Sequence, residues 1–159
     1  MIYSSDLPRA VTSAQIIQSQ LKDSCPLKET PSLREWQLGK LEGEKFATLK
    51  AIYPEQMNAL RSNLAKFDST MFGAESVYQT TQRTINFVKS LQDQDFDHVL
   101  IVGHGANLTA SIQSLLGYDT HLLRKDGGLA NASITVLETS DFENFNLIVW
   151  NDTSYQDNN

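Results

Sequence analysis

Hydrophobic and polar positions at the start of the chain predict a strand, a turn and a helix. Residues 2–3 are apolar and indicate the end of a short strand. The polar turn that follows offers Ser5 or Asp6 as the cap of a helix that is expected to run to about Lys22. The buried face of this helix should consist of apolar residues at helical spacing, namely Ala10, Ala14, Ile17 and Leu21.

The middle of the chain is predicted to begin as loops and to continue as helices. Residues 23–32 are expected to form a loop, and residues 33–43 an ordered irregular loop or a short strand. Helices are predicted over residues 44–53, from 54 to about 64, and over 75–91. The inner face of the last helix is expected to hold Val77, Thr81, Ile85, Val88 and Leu91.

The stretch V-L-I-V-G-H-G-A-N-L, residues 99–108, is the most informative part of the pattern. Its first four residues are apolar and mostly β-branched, which predicts a buried strand over 99–102. Two glycines around a histidine then predict a tight turn into a helix that ends near residue 117. The apolar positions of this helix recur at spacings of four and three, at Leu108, Ile112 and Leu115.

Two strands and a polar tail complete the predicted order of elements. Residues 133–138 alternate between apolar and polar types, and residues 145–151 form a candidate hairpin partner. We therefore expect a single domain over residues 1–151, followed by a largely frayed polar tail over 152–159. The length is that of one ordinary domain with a core of its own.

Composition narrows the classes of function. A net charge of −6 with a pI of about 4.9 argues against a protein that binds the backbone of DNA or RNA, although a small phosphorylated ligand needs only a few local cations. The single cysteine, Cys25, cannot form an internal disulfide, which fits a reducing cytoplasm. No apolar run is long enough to span a bilayer, and the chain shows no signal peptide, so no membrane partner is expected.

His104 is the first candidate for chemistry, because it stands at the turn from a predicted strand into a predicted helix. In open α/β sheets, ligands lie beyond the carboxyl ends of strands, and free N–H groups at a helix N-terminus suit an anion. A histidine there can be a phosphate contact, a nucleophile or a proton carrier, and the flanking Gly103 and Gly105 let a ligand approach the backbone. The alternative is a side chain that only hydrogen-bonds the turn.

Arg9 and Glu75 are the other candidates. A cation in the first turn of a helix is normally disfavoured, so Arg9 suggests a ligand anion or a neighbouring carboxylate, unless its side chain is simply solvated. Glu75 near a helix start is either ordinary capping or an active-site acid. The histidines show no metal-ligand spacing and no second cysteine exists, so we expect no metal.

Six segments along the chain carry a family resemblance when they are taken together. They are Y-S-S-D-L-P-R-A at 3–10, L-R-E-W-Q-L-G-K-L-E-G at 33–43, G-A-E-S at 73–76, V-L-I-V-G-H-G at 99–105, N-A-S-I-T at 131–135 and W-N-D-T-S at 150–154. In this order they resemble the histidine phosphatase superfamily, the phosphoglycerate-mutase-like proteins. The resemblance implies a three-layer α/β sandwich, with a mostly parallel sheet flanked by helices.

The resemblance also implies a chemistry. In the family a histidine attacks phosphorus and carries the phosphoryl group until water releases it. On this sequence Arg9 would grip the phosphate, His104 would be the second histidine on the same oxygens, and Glu75 would protonate the leaving oxygen. The implied ligand is a small phosphorylated substrate or inorganic phosphate, with neither a metal nor an organic cofactor.

One departure from the family pattern is serious. The family nucleophile lies in an R-H-G motif at the end of the first strand, and this sequence has no R-H-G, while its S-D-L-P-R-A segment already begins at Ser5. We therefore expect the first strand and the nucleophile to be missing, through a truncated reading frame or a late start. Such a gap would leave an unpaired strand edge, which favours homo-oligomers or aggregation.

Two functional hypotheses follow from this sequence. The first is a phosphomonoesterase by ancestry that is inactive as written. The second is a non-catalytic protein that binds a phosphorylated ligand or a protein partner through Arg9, Glu75 and His104. A remnant without function would do neither.

Overall fold

The first strand, β1 (Ile2–Ser5), lies in the middle of a three-stranded parallel sheet. It pairs with β2 (Leu27–Thr30) on one side and with β3 (Leu100–Val102) on the other. All four β1 residues are buried. The structure is a computed structural model that describes residues 1–158. It confirms the predicted α/β fold with a parallel sheet flanked by helices.

β2 was not expected, because its segment was predicted to be a loop. Its sequence, Leu-Lys-Glu-Thr, has one apolar residue, and its two central side chains are exposed. A polar edge strand gives no hydrophobic alternation, so its pairing with β1 decides its conformation.

Five α-helices surround and extend the sheet in the described part of the chain. Their bounds are α1 (Pro8–Gln20), α2 (Phe46–Ile52), α3 (Pro54–Ser62), α4 (Val77–Lys89) and α5 (Gly105–Leu115). Short 3-10 turns connect several of them, at Pro31–Leu33, Gly39–Leu41, Leu64–Lys66, Ser69–Phe72, Ser90–Asp93, Thr120–Leu122 and Ser154–Asn158. The predicted helices are therefore present, with shorter bounds than the sequence pattern indicated.

The start of α1 differs from the prediction. Its N-cap residue is Leu7, whose side chain makes no cap, so neither Ser5 nor Asp6 caps the helix. The Ser5 hydroxyl instead accepts from the Leu7 N–H at 3.2 Å and contacts His104, while Asp6 pairs with Arg34. Both polar side chains are thus used to build the end of the sheet.

The predicted buried stripe of α1 is correct in its first half only. Ala10 and Ala14 are buried, but Ile17 is 39% exposed and Leu21 is 45% exposed. Leu21 already lies beyond the last helical residue. The alanines are small enough to let α1 lie close against β1.

α4 begins two residues later than predicted. Ser76 is its N-cap and forms a capping box with Gln79, in which each side chain bonds the other residue's N–H. Glu75 therefore stands before the helix rather than in its first turn, and its carboxylate is not used for capping.

The carboxyl-terminal strands form a separate antiparallel hairpin, as predicted. β4 (Ile134–Glu138) pairs with β5 (Asn146–Asp152), but in the described residues neither strand pairs with β3. A cavity of about 640 Å³ lies between β3 and β4. The prediction of a fully buried strand at residues 99–102 was wrong, since Leu100 is 39% exposed.

Residues 154–156 pack against the loop that precedes β4 instead of fraying. The Tyr155 hydroxyl donates to the Ala132 carbonyl, and the Gln156 amide donates to the Asn131 carbonyl at 3.1 Å. Ser154–Asn158 is a 3-10 turn. No helix of the described chain is long and apolar enough to cross a membrane.

The irregular segment 33–43 is held in place by the main hydrophobic core. Trp36 and Leu41 are buried in one cluster with Met57 of α3 and with Phe67 and Phe72. The rings of Trp36 and Phe67 meet edge to face, with centroids 5.6 Å apart. This packing fixes the backbone on either side of Trp36, and that backbone forms a wall of the site described next.

Candidate active site

His104 lies where β1 and β3 end side by side. Because Ser4 is in register with Val102, the two parallel strands place Ser5 and His104 at the same edge of the sheet. The Nε2 atom of His104 is 2.8 Å from the Ser5 hydroxyl oxygen, and the His104 side chain is buried. His104 is the N-cap residue of α5, so its side chain stands at the start of that helix, as predicted.

The start of α5 already holds an internal anion. The Glu35 carboxylate accepts from the Asn107 N–H at 2.7 Å and from the Ala106 N–H at 3.1 Å. It also accepts from the Trp36 N–H at 2.8 Å. The predicted open anion site at this helix is therefore occupied in part by a carboxylate from the segment 33–43.

The two glycines beside His104 differ in the space around them. A Cβ on Gly103 would lie 3.0 Å from a methyl carbon of Leu108, so a side chain there would require Leu108 to move. A Cβ on Gly105 would lie 3.4 Å from the Leu129 carbonyl oxygen, which is an ordinary contact distance, and Gly105 is exposed.

Arg9 lines a cavity that Glu35 also lines. It is exposed and takes part in no ion pair among residues 1–158. Burial, and next the positive charge of Arg9, lower the pKa of His104 below its ordinary value, while the Glu35 carboxylate opposes the shift. The imidazole is thus neutral at pH 7, and the nearby charge of Arg9 favours this form.

A second arginine lines the same cavity, which has a volume of about 600 Å³. Arg34 donates to both oxygens of Asp6 at 2.7 and 2.6 Å, and this pair holds the pKa of Asp6 below its usual range. Arg34 was not singled out as a site residue from the sequence, although it lies in the L-R-E segment. The residues around the cavity are Leu7, Arg9, Arg34, Glu35, Trp36, Gln37, Leu38, Glu42 and Gly43.

Glu75 forms a bidentate ion pair with Arg83. Its two oxygens accept from Arg83 at 3.0 Å each, and one of them also accepts from the Gln37 N–H at 2.9 Å. Burial would raise the pKa of Glu75, but these hydrogen bonds outweigh it and hold the pKa below the ordinary value. Glu75 is therefore an ionised carboxylate at neutral pH.

Arg83 connects Glu75 to the wall of the cavity. Its guanidinium donates to the carbonyls of Ser32, Arg34 and Glu35 at 2.8 to 3.0 Å. The charge of Arg83 also lowers the pKa of His104. Arg9 and His104 are thus linked by the effect of the Arg9 charge on the His104 pKa, while Glu75 is connected to this region through Arg83 and the segment 32–35.

Asn107 is a buried polar residue that was not singled out from the sequence. Its amide donates to the Thr80 carbonyl at 2.9 Å, and its oxygen accepts from the Thr84 hydroxyl at 3.0 Å. The Thr84 hydroxyl also lies 2.9 Å from the Ser32 carbonyl. These contacts fix the first turn of α5, and with it His104, against α4.

The family comparison covers nearly the whole chain. A model described as histidine phosphatase superfamily (branch 1) matches residues 1–153. The phosphoglycerate mutase-like protein 4 of Arabidopsis thaliana is 30% identical over 155 residues, which are 97% of this chain. The chain spans 65% of the length of that plant protein.

Solved structures show the same fold. A mycobacterial glucosyl-3-phosphoglycerate phosphatase matches with a TM-score of 0.84 at 29% identity, over 97% of this chain and 78% of its own. The complex of that phosphatase with inorganic phosphate matches with a TM-score of 0.84 at 28% identity, over 96% of this chain and 76% of its own.

Proposed function

We propose that this chain, which belongs to the histidine phosphatase superfamily, binds the phosphate group of a small phosphomonoester in the cavity beside Arg9 and His104. One observation carries the proposal. Arg9 has no ion-pair partner among residues 1–158, and its positive charge lowers the pKa of the buried His104. The mycobacterial phosphatase solved with inorganic phosphate supports this class of ligand.

Each residue has a distinct part in the proposed binding. Arg9 supplies a planar fork of N–H donors that matches two phosphoryl oxygens. His104 donates to the same phosphate, and the dianion raises the pKa of the imidazole above its value in the free site. The Ser5 hydroxyl, 2.8 Å from Nε2, fixes the orientation of the ring.

We propose further that the 159 residues alone bind phosphate without turning it over. In the phosphohistidine cycle a histidine nitrogen bonds to phosphorus as the ester oxygen leaves, and water then breaks the phosphorus–nitrogen bond. The three histidines of the sequence are His98, His104 and His121, and none stands in an Arg-His-Gly triplet. Phosphomonoester hydrolysis is thus the inherited chemistry, for which this chain supplies the binding groups.

In the inherited hydrolysis, which the 159 residues alone are not expected to complete, Glu75 is the proposed source of the proton for the leaving oxygen. A general acid must hold a proton near neutral pH, and the grip of Arg83 keeps Glu75 ionised in the free site. The role therefore requires that a bound phosphate draw Arg83 away from the carboxylate. This exchange of partners is part of the proposal.

We also propose a cytoplasmic location. Cys25 is the only cysteine of the sequence, so the fold depends on no internal disulfide and suits a reducing compartment.

Phosphate-dependent stabilisation tests the proposed function. The melting temperature of the 159-residue chain is measured against inorganic phosphate, together with Arg9→Gln and Lys22→Gln. The control removes one positive charge just beyond the other end of α1, where Lys22 is exposed. We expect phosphate to raise the melting temperature of the wild type and of Lys22→Gln, and to leave Arg9→Gln nearly unchanged.

Hydrolysis of an aryl phosphate is measured on the same samples. Stabilisation without turnover is the expected result. Turnover that His104→Ala abolishes would show that the site works as an enzyme and that His104 has a larger role. Equal stabilisation of Arg9→Gln and wild type would place phosphate elsewhere and overturn the proposal.

A further inference from the structure

Two arginines of the chain have charges that neither the fold nor the proposed function uses. The sequence has five arginines, of which Arg34 and Arg83 are paired with carboxylates. Arg9, Arg61 and Arg124 take part in no ion pair among residues 1–158. The proposed function assigns Arg9 to the phosphate, which leaves the charges of Arg61 and Arg124 to be explained.

Arg124 is the more unusual of the two, because part of its guanidinium is shielded from water without a partner. Its Nε atom is buried and makes no hydrogen bond among residues 1–158. The preceding residue, Leu123, is buried in the main hydrophobic core and holds the backbone in place. A buried donor on a charged group normally has a partner, since leaving water without one is costly. The position of Arg124 is therefore typical of a site that awaits an anion.

Arg61 places a second cation close to Arg124. Its guanidinium carbon lies 3.6 Å from the centre of the Phe46 ring. Such stacking uses the flat face of the guanidinium and leaves the N–H groups at its rim free. Burial, and next the positive charge of Arg61, lower the pKa of Arg124, while the Glu35 carboxylate opposes the shift. We call the pair of Arg61 and Arg124 the second anion site.

The segment 128–129 connects the second anion site to the turn that carries His104. A guanidinium nitrogen of Arg124 lies 3.5 Å from the position that a Cβ on Gly128 would take. The carbonyl oxygen of the next residue, Leu129, lies 3.4 Å from the corresponding position on Gly105, the residue after His104. Two consecutive residues thus contact Arg124 on one side and the start of α5 on the other.

Glu35 and the hydrophobic core connect the same two regions. The Glu35 carboxylate affects the pKa of both His104 and Arg124. Its oxygens accept three main-chain N–H bonds, and it forms no ion pair with Arg124 in the described chain. Trp36 lines the cavity of about 600 Å³, and Phe46 packs against the core cluster that contains Trp36. The second anion site therefore adjoins the proposed phosphate cavity.

From these observations we infer that Arg61 and Arg124 bind a second anionic group of the substrate. The preferred substrate is then a phosphomonoester that also carries a carboxylate or a second phosphoryl group. Arg9 binds the phosphate at one end of this molecule, and the second anion site binds the other end. The inference rests on the proposed function and extends it, because it names the class of substrate and two residues that determine specificity.

A purely structural role fits Arg124 less well. A structural arginine stabilises a fold through its hydrogen bonds, and the buried Nε atom of Arg124 makes none among residues 1–158. The sequence has 19 acidic residues against 13 basic ones, so carboxylates for pairing are plentiful. Neither cation of the second anion site is paired with one in the described chain.

The test compares ligands that differ only at the end away from the phosphate. Alkyl phosphates are compared with phosphooxy-carboxylates of the same length, with the neutral amides of these acids, and with the corresponding bisphosphates, each over a series of spacer lengths. Dissociation constants are measured by calorimetry on the 159-residue chain. We expect a carboxylate or bisphosphate of fitting length to bind more tightly than the alkyl phosphate and the amide, by about tenfold or more. The two charged series show which anion the site prefers.

Three protein variants test the location. They are Arg124→Gln, Arg61→Gln and the control Lys125→Gln, which removes a neighbouring charge that is already paired with Asp126. We expect the two arginine variants to reduce the gain from the second anionic group to about twofold or less, and Lys125→Gln to retain it. Arg124→Gln should not lower the melting temperature of the free chain, because it removes a partly desolvated charge. A structural role would lower the melting temperature and weaken charged and neutral ligands alike.

Two results would overturn the inference. Either no spacer length gives the charged ligands an advantage over the alkyl phosphate, or the advantage persists in both Arg61→Gln and Arg124→Gln. Binding of the alkyl phosphate that Arg9→Gln abolishes would in both cases leave the proposed function intact. Absence of any Arg9-dependent binding would overturn the proposed function and this inference together. If Arg124→Gln does not fold, Arg61→Gln and the ligand series decide.

Discussion

The chemistry of His104 is set by its immediate neighbours. Its ring is buried, it contacts the Ser5 hydroxyl, and its pKa is lowered first by burial and then by the charge of Arg9. A buried neutral histidine makes folding sensitive to pH, because the unfolded chain can take up a proton that the native site resists.

We predict that His104 destabilises the protein as the pH falls below about 6.5, the ordinary pKa of histidine. Its folded pKa is lowered, so its contribution is fully present above that value and is lost as the pH falls toward the folded pKa. The urea midpoint of the wild type should therefore fall more between pH 7.5 and pH 5.5 than that of His104→Gln.

The carboxylates act outside this pH window. Asp6 and Glu75 have pKa values below their ordinary ones, so the stability that they supply is lost only at lower pH. Equal slopes for wild type and His104→Gln between pH 7.5 and pH 5.5 would contradict a buried neutral imidazole.

At the scale of residues, part of the site was predictable and part was not. His104 and Arg9 follow β3 and β1, and the carboxyl ends of parallel strands meet at one edge of a sheet, so their proximity could be inferred. Glu35 could not be placed by such reasoning. It bonds N–H groups that are 71 and 72 positions away, and nothing in its local sequence distinguishes it from a solvated glutamate.

At the scale of elements, Arg83 is the residue through which α4 holds the segment 32–35. It pairs with Glu75 and donates to three carbonyls of that segment, and both members of the ion pair are about four-fifths buried. Removing one partner of a buried pair leaves the other charge uncompensated. The segment carries Arg34 and Glu35, so its position affects both the cavity and the start of α5.

We predict that Arg83→Met lowers the free energy of unfolding by about 3 kcal/mol and weakens phosphate binding. Methionine keeps the length of the side chain but provides none of the donors. The matched control is Lys89→Met on the same helix, since Lys89 pairs with Glu143 at the surface. Its expected cost in urea denaturation is below about 1 kcal/mol. Equal losses of unfolding free energy in the two variants would contradict the prediction that Arg83 holds the segment 32–35 in place.

Some of the helices and strands could be predicted from the sequence, and others could not. Helices with an apolar face and the β4–β5 hairpin have local patterns that fix their type, so the sequence sufficed. β2 was missed because a polar edge strand is stabilised by its neighbour and not by its own pattern. The cap of α1 was wrong because Ser5 and Asp6 bond to distant residues, His104 and Arg34.

At the scale of the whole molecule, the sheet is divided in two. β1 has a paired strand on each side and all its residues are buried, whereas β3 and β4 each have one edge without a strand partner in the described chain, beside the cavity between them. The sequence pattern of residues 99–102 is that of a strand buried on both faces, which explains why full burial was expected. Leu100 is instead partly exposed, because it lies beside the cavity between β3 and β4.

This division predicts an order of hydrogen exchange. The amides of β1 are paired within the sheet and should exchange only when the whole domain unfolds, because no local opening releases a central strand. The amides of β4 that point away from β5 lack strand partners in the described chain and should exchange much faster, although they lie in regular structure. Residue-resolved exchange measured in the free protein gives both rates. Protection of those β4 amides equal to that of β1 in the monomer would mean that the cavity between β3 and β4 is closed in solution.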